Sequence, residues 1–176
     1  MNVTFHTVAA LATAAILSSK RRVRVPVQSP GRDTPFLPAI GFLIGVLLHG
    51  LLDYVPHSYP FDSRLDVSLS LTLASLAIAM SKPKNRLLAL ACYLGCIFPD
   101  LIDLGPAAIN KLLGWSLTTV KIFPWHWRRY SGSVYDGSRS LESLSFHIVV
   151  VALSIGLLCG YRRALFRVGA SQDDAS

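Results

Sequence analysis

Charge is what this sequence has least of. Aspartate, glutamate, lysine and arginine make up 15% of its 176 residues, against about 25% in an ordinary soluble domain. Acids are the scarcer sign, 10 against 17 bases, which leaves a formal net charge of +7. So few charges do not suit the surface of a soluble domain of this length, and a hydrophobic content of 52% excludes intrinsic disorder. Cysteine is scarce as well. Cys92, Cys96 and Cys159 all lie in apolar runs and form no C-x-x-C pair, which excludes a disulfide scaffold and reads as small buried apolar side chains. Sustained period-2 alternation is missing, so strands are not expected. The RNP, zinc-finger and helix-turn-helix signatures of nucleic-acid binding are missing too. So are the G-x-S-x-G and Walker patterns, which removes the usual grounds for a nucleophile elbow or a phosphate loop.

Long apolar runs are what is present. They cover about 5–19, 36–57, 67–80, 87–104 and 144–160. A helical span needs roughly 17–25 residues; the second, fourth and fifth runs reach that length, and the first and third fall short of it. The expected fold is a single all-α domain, a polytopic membrane bundle of about five transmembrane helices. The first run is read as a retained helix and not a signal peptide, because residues 1–6 carry no base and Lys20, Arg21 and Arg22 follow the run. An extended linker is expected at 25–38, where Pro26, Pro30, Pro35 and Pro38 cluster.

The bases are not evenly spread. Eleven of the 17 fall in the segments 20–35 and 81–86 and in the tail after Gly160, with three acids among them. The positive-inside rule therefore places the N-terminus outside and the C-terminus in the cytoplasm, and makes 105–143 an outer loop. Within that loop Ile109, Leu112 and Leu113 have helical spacing, and Trp115 suits a membrane interface.

Ionisable residues inside apolar runs mark function by default. His49, Asp53 and His57 follow one another at intervals of four, a single helical stripe that Pro56 threatens to end. Asp100 and Asp103 close the fourth run without a base nearby in sequence, and a cation accounts for two such carboxylates most economically. On the inferred topology His6, His126 and His147 fall at the same outer end. The expected metal ligands are His6, His49, His57, Asp100 and His147; Asp53, Asp103 and His126 are the expected catalytic acid–base groups. Arg128 and Arg129 are expected to bind an anionic group of the substrate. Imidazole with carboxylate suits zinc first, with manganese or iron as alternatives, and a metal at such a site activates water near neutral pH.

An early histidine (His6), a His-x-x-x-Asp on an apolar helix (His49, Asp53), the Asp53–His57 run and a Pro-Asp-x-x-Asp closing another helix (Pro99, Asp100, Asp103) resemble a family of bacterial inner-membrane proteins described as metal-dependent hydrolases. That family has a distant likeness to zinc-dependent phospholipase C folds. The resemblance implies an inner-membrane hydrolase acting on a lipid or phosphoester, with membrane lipid as its surroundings. The family's usual P-D-I-D-H is here Pro99-Asp100-Leu101-Ile102-Asp103. Two other classes stay open at this point. One is a small transporter using the same residues as a proton or metal relay, and the other a non-catalytic assembly factor in which they serve interhelical hydrogen bonds.

Overall fold

A computed structural model of the chain describes residues 1–20 and 36–167. Residues 21–35, which hold most of the first basic cluster and most of the linker expected at 25–38, lie outside the described residues. Residues 36–38 are helical instead, since Pro38 falls in the first turn of a helix that begins at Phe36, where its missing N–H costs no hydrogen bond. The described residues form six α-helices: α1 (Val3–Lys20), α2 (Phe36–Tyr54), α3 (Ser63–Met80), α4 (Pro83–Asp103), α5 (Gly105–Leu113) and α6 (Ser140–Leu165), with a 3-10 turn at Pro124–His126. No strand occurs among the described residues, so the all-helical bundle expected from the sequence is the fold. Helices α2, α3, α4 and α6 are each long and apolar enough to cross a membrane, and α1 is a shorter apolar helix.

Helix α1 is the axis of the bundle and packs against α2, α3, α4 and α6. Its alanines explain how. Ala9, Ala10, Ala12, Ala14 and Ala15 are all buried, and side chains this small let four neighbours approach one helix closely. Its first turn is capped from another helix: the Asp66 carboxylate on α3 accepts from Val3 N at 2.7 Å and Thr4 N at 2.9 Å. Those backbone donors have no partner within α1, and a carboxylate at a helix N-terminus also meets its positive dipole end.

Helices α2 and α4 form the most extensive pair, through glycine. On α2 the residues Gly41, Gly45, His49 and Asp53 repeat every four positions and all are buried. A Cβ at Gly45 would lie 2.6 Å from the Cys92 carbonyl oxygen, and one at Gly95 on α4 would strike the backbone of Phe42. On α4 the matching stripe is Leu88, Cys92, Cys96 and Asp100. Each stripe is therefore small or apolar along its length and turns acidic or imidazole-bearing at the same end.

Helix α2 ends at Tyr54, two residues before Pro56, so His57 lies beyond the helix. The loop 123–134 folds back over this end. Gly132 N donates to Asp53 O at 2.8 Å, His57 N to Gly132 O at 2.9 Å and Val134 N to His57 O at 2.8 Å. At the opposite end Lys82 N donates to Leu165 O and Asn85 Nδ2 to Ala164 O, tying α6 to the start of α4. Lys82, Lys84 and Arg86 at the head of α4, and Arg162 and Arg163 at the foot of α6, lie at that opposite end.

Gly45→Ala and Gly156→Ala should separate packing from propensity. Nothing lies within 4 Å of a Cβ at Gly156, so alanine there should raise stability by up to about 1 kcal/mol through helix propensity alone. At Gly45 overpacking should lower it by about 1–3 kcal/mol, read as opposite shifts of the thermal midpoint in detergent.

Candidate metal centre

Four side chains from three segments meet at the end of the α2–α4 pair. His49 and Asp53 come from α2, Asp100 from the last turn of α4, and His126 from the 3-10 turn. One ligand atom from each lies within 4.8 Å of every other. His49 Nε2 is 3.2 Å from His126 Nε2 and 3.4 Å from Asp53 Oδ2. His126 Nε2 is 3.4 Å from Asp53 Oδ2 and 3.3 Å from Asp100 Oδ1, and His49 Nε2 is 3.7 Å from Asp100 Oδ1. Bonds of about 2.0–2.1 Å to a tetrahedral ion require ligand–ligand edges of about 3.3–3.4 Å. The five edges that involve a histidine, 3.2–3.7 Å long, are close to that size.

The tautomers make the same point. His49 Nδ1 donates to the Cys96 carbonyl at 2.6 Å, and His126 Nδ1 donates to Asp103 Oδ2 at 2.8 Å. With each Nδ1 committed as a donor, neutral imidazoles would turn two Nε2 lone pairs toward each other, so the arrangement calls for a positive charge between them, either a proton on His126 or a metal ion. Histidine ligands are ordinarily oriented in this way, by a carbonyl or carboxylate on the far nitrogen. Burial opposes charge on His126, but hydrogen bonding to Asp100, Asp53 and Asp103 outweighs it and raises its pKa to about 10. The cluster thus favours a cation at this position.

Local sequence explains how the parts are seated. A Cβ at Gly50 would lie 2.6 Å from the Trp125 ring, so the glycine lets Trp125 dock flat on α2 and carry His126 into place. Pro99 lacks the N–H that would bond back to the Gly95 carbonyl, and the next carbonyl, that of Cys96, receives His49. Asp103 also accepts from Ile122 N at 2.8 Å and Phe123 N at 3.0 Å, anchoring the strand of loop that leads to His126.

The remaining expected residues sit one step out or away. His6 donates from Nε2 to Asp53 Oδ1 at 3.1 Å and stacks on His49 with centroids 4.2 Å apart, so it orients ligands and is not one of the four. The amino group of Met1 contacts the same Asp53 oxygen. His57 lies 3.9 Å from Asp53 Oδ1; its Nδ1 donates to Val55 O, and its Nε2 meets the hydroxyls of Tyr59 and Ser133. Burial, reinforced by the positive Met1 amine, lowers the His57 pKa to about 4, which makes it a neutral acceptor. His147, expected as a ligand, is not brought to the cluster: its ring stacks on Phe5 at 4.5 Å. Asp53 and His126, expected as acid–base groups, stand among the four ligand candidates, and Asp103 holds His126 from behind.

A cleft of about 630 Å³ opens beside the cluster, lined by His126, Lys121, Arg128, Ser131, Ser133 and Arg139 among others. Arg128 faces this cleft, whereas Arg129 lies over the Tyr130 ring, 5.6 Å from its centroid. What sequence reasoning missed is the seating: Gly41, Gly45, Gly50, Gly95 and the Cys96 carbonyl. A signal was there for part of it, since Gly41 and Gly45 extend the four-residue repeat of His49 and Asp53 backward. Comparison with protein-family models, curated proteins and solved structures finds no match.

Asp103→Asn should weaken binding of a divalent cation by at least about 10–100-fold, because its amide nitrogen would face one of the N–H donors that hold the loop and His126. Competition against a chromophoric chelator in detergent would measure it; His126→Ala should lose more.

Proposed function

We propose that this chain is a membrane-embedded, metal-dependent hydrolase acting on a lipid or phosphoester, with zinc as the metal. The observation that carries the reading is the pair of facing Nε2 atoms, 3.2 Å apart, each with its Nδ1 held as a donor and two carboxylates alongside. His49, Asp53, Asp100 and His126 would hold the ion. Two imidazoles and two carboxylates suit zinc, with manganese or iron the nearest alternatives. When bound, such an ion lowers the pKa of water to about 7 and polarises a substrate oxygen.

The chain's own groups supply the rest. Asp103 holds His126 in the tautomer that keeps Nε2 available, and His6 restrains the second oxygen of Asp53. Asp100 is the least enclosed of the four, with 18% of its side chain exposed. Arg128 and Lys121 in the cleft wall give an anionic substrate group a cationic surface.

Against a relay through the membrane stands the distribution of ionisable groups. Below the cluster the buried α2–α4 seam consists of Gly41, Gly45, Leu88 and Cys92, whereas a relay needs titratable groups through the depth of the bilayer. The gathering of His and Asp at one end, opposite the bases that head α4 and close α6, supports a site on the outward face of an inner membrane.

Metal analysis of the purified protein should find about one ion per chain, lost in the His49→Ala, Asp100→Ala double variant. Hydrolysis of a chromogenic phosphodiester should disappear on chelation and return with zinc; equal metal content in both proteins overturns the reading. In a Cys159→Ser background, an impermeant thiol reagent should reach Ser138→Cys from outside intact cells and fail to reach Lys84→Cys. Both positions are exposed on the structure, at opposite ends of the bundle.

A further inference from the structure

Between Asp103 and Phe123 the chain leaves the bundle. Helix α5 has no buried residue, and Leu112, Leu113, Trp115, Val120 and Ile122 are 57–77% exposed. The excursion is nevertheless pinned. Gly114, with φ of 67°, ends α5 in the left-handed conformation. The Asn110 amide then clamps the returning strand, its Nδ2 donating to Leu117 O at 2.8 Å and its Oδ1 accepting from Leu117 N at 2.7 Å. Asp103 ties the two ends together: it closes α4, where the excursion begins, and accepts from Ile122 N and Phe123 N, where it returns. A plate held this way does not fold over to hide its apolar side chains, and a contiguous exposed apolar surface marks a contact.

Two observations identify what it contacts. Leu104 is the single residue between α4, long and apolar enough to cross a membrane, and α5, so the plate starts at the depth where a span meets the headgroups. Residues 105–122 also carry Lys111 and Lys121 and no acid, and apolar side chains with tryptophan and lysine are the composition of an interfacial element. We propose that residues 105–122 lie in the headgroup layer of the leaflet at the metal-centre end, bound to anionic lipid. Because Asp103 holds both the returning strand and His126, seating the plate in lipid sets the depth and orientation of His126. The proposal requires that the chain cross a membrane and is independent of any reaction at the cluster.

The full chain in lipid nanodiscs, in a Cys159→Ser background, would carry an environment-sensitive fluorophore at Leu113→Cys, with Val120→Cys as a second reporter and Asp136→Cys as the exposed control. Lipid carrying a nitroxide near the headgroup should quench both reporters strongly, and aqueous iodide should quench them several-fold less than the label at Asp136. Phosphatidylglycerol should deepen the lipid quenching relative to phosphatidylcholine alone, and Lys111→Glu should abolish that difference. Iodide quenching equal to the control overturns the proposal. Protection from both quenchers that vanishes in discs holding one chain also overturns it, and assigns the surface to a second copy. Lipid quenching indifferent to phosphatidylglycerol overturns the preference for anionic lipid.

Discussion

The arrangement depends on how closely α2 and α4 approach. Gly41 and Gly45 on one helix and Gly95 on the other allow backbone to meet backbone, and that separation lets a side chain on α2 reach a carbonyl on α4. The His49–Cys96 hydrogen bond, 2.6 Å long, is its direct result. Were the axes held apart by larger side chains, His49 would lose the acceptor that fixes its tautomer, and Asp100 would recede from Asp53. The same packing that holds the helices together thus sets the edges of the candidate metal centre.

Burying this many ionisable groups is unfavourable unless they satisfy one another or a cation. Here they are satisfied in layers. Asp53 stands at the middle, with one oxygen toward His49 and His126 and the other toward His6 and the Met1 amine. Behind His126 stands Asp103, itself held by two backbone amides. Each charged or imidazole group therefore has a partner that constrains its direction, and a centre built this way is rigid before any ion arrives. Rigidity of the supporting groups is what keeps ligand atoms at distances useful to a small cation.

Much of the fold was legible along the chain. The charge deficit and the apolar runs pointed to a helical membrane bundle, since helices alone satisfy their own backbone within a short apolar segment. The regular spacing of His49 and Asp53, and of Asp100 and Asp103, put carboxylates and imidazole on one helical face before any packing was known. Less legible was the role of α1. Its length and alanine content suggested a marginal span, whereas packing makes it the buried axis, where small side chains are an advantage. His147 looked like the other histidines in sequence and differs from them in place, because its position on α6 turns it toward Phe5.

By itself the sequence determined which residue types lie at which end of which helix, because a helix has a fixed rise and turn per residue. It also determined that both carboxylates of α4 lie far from any base along the chain. Only the tertiary structure decided which of these groups share one centre. His126 enters through a loop held by Asp103 and seated by Trp125 on Gly50, contacts that span 20 to 75 positions in sequence and leave no periodic trace. Metal-ligand geometry is a matter of a few ångströms between side chains on different segments, and only packing sets such distances.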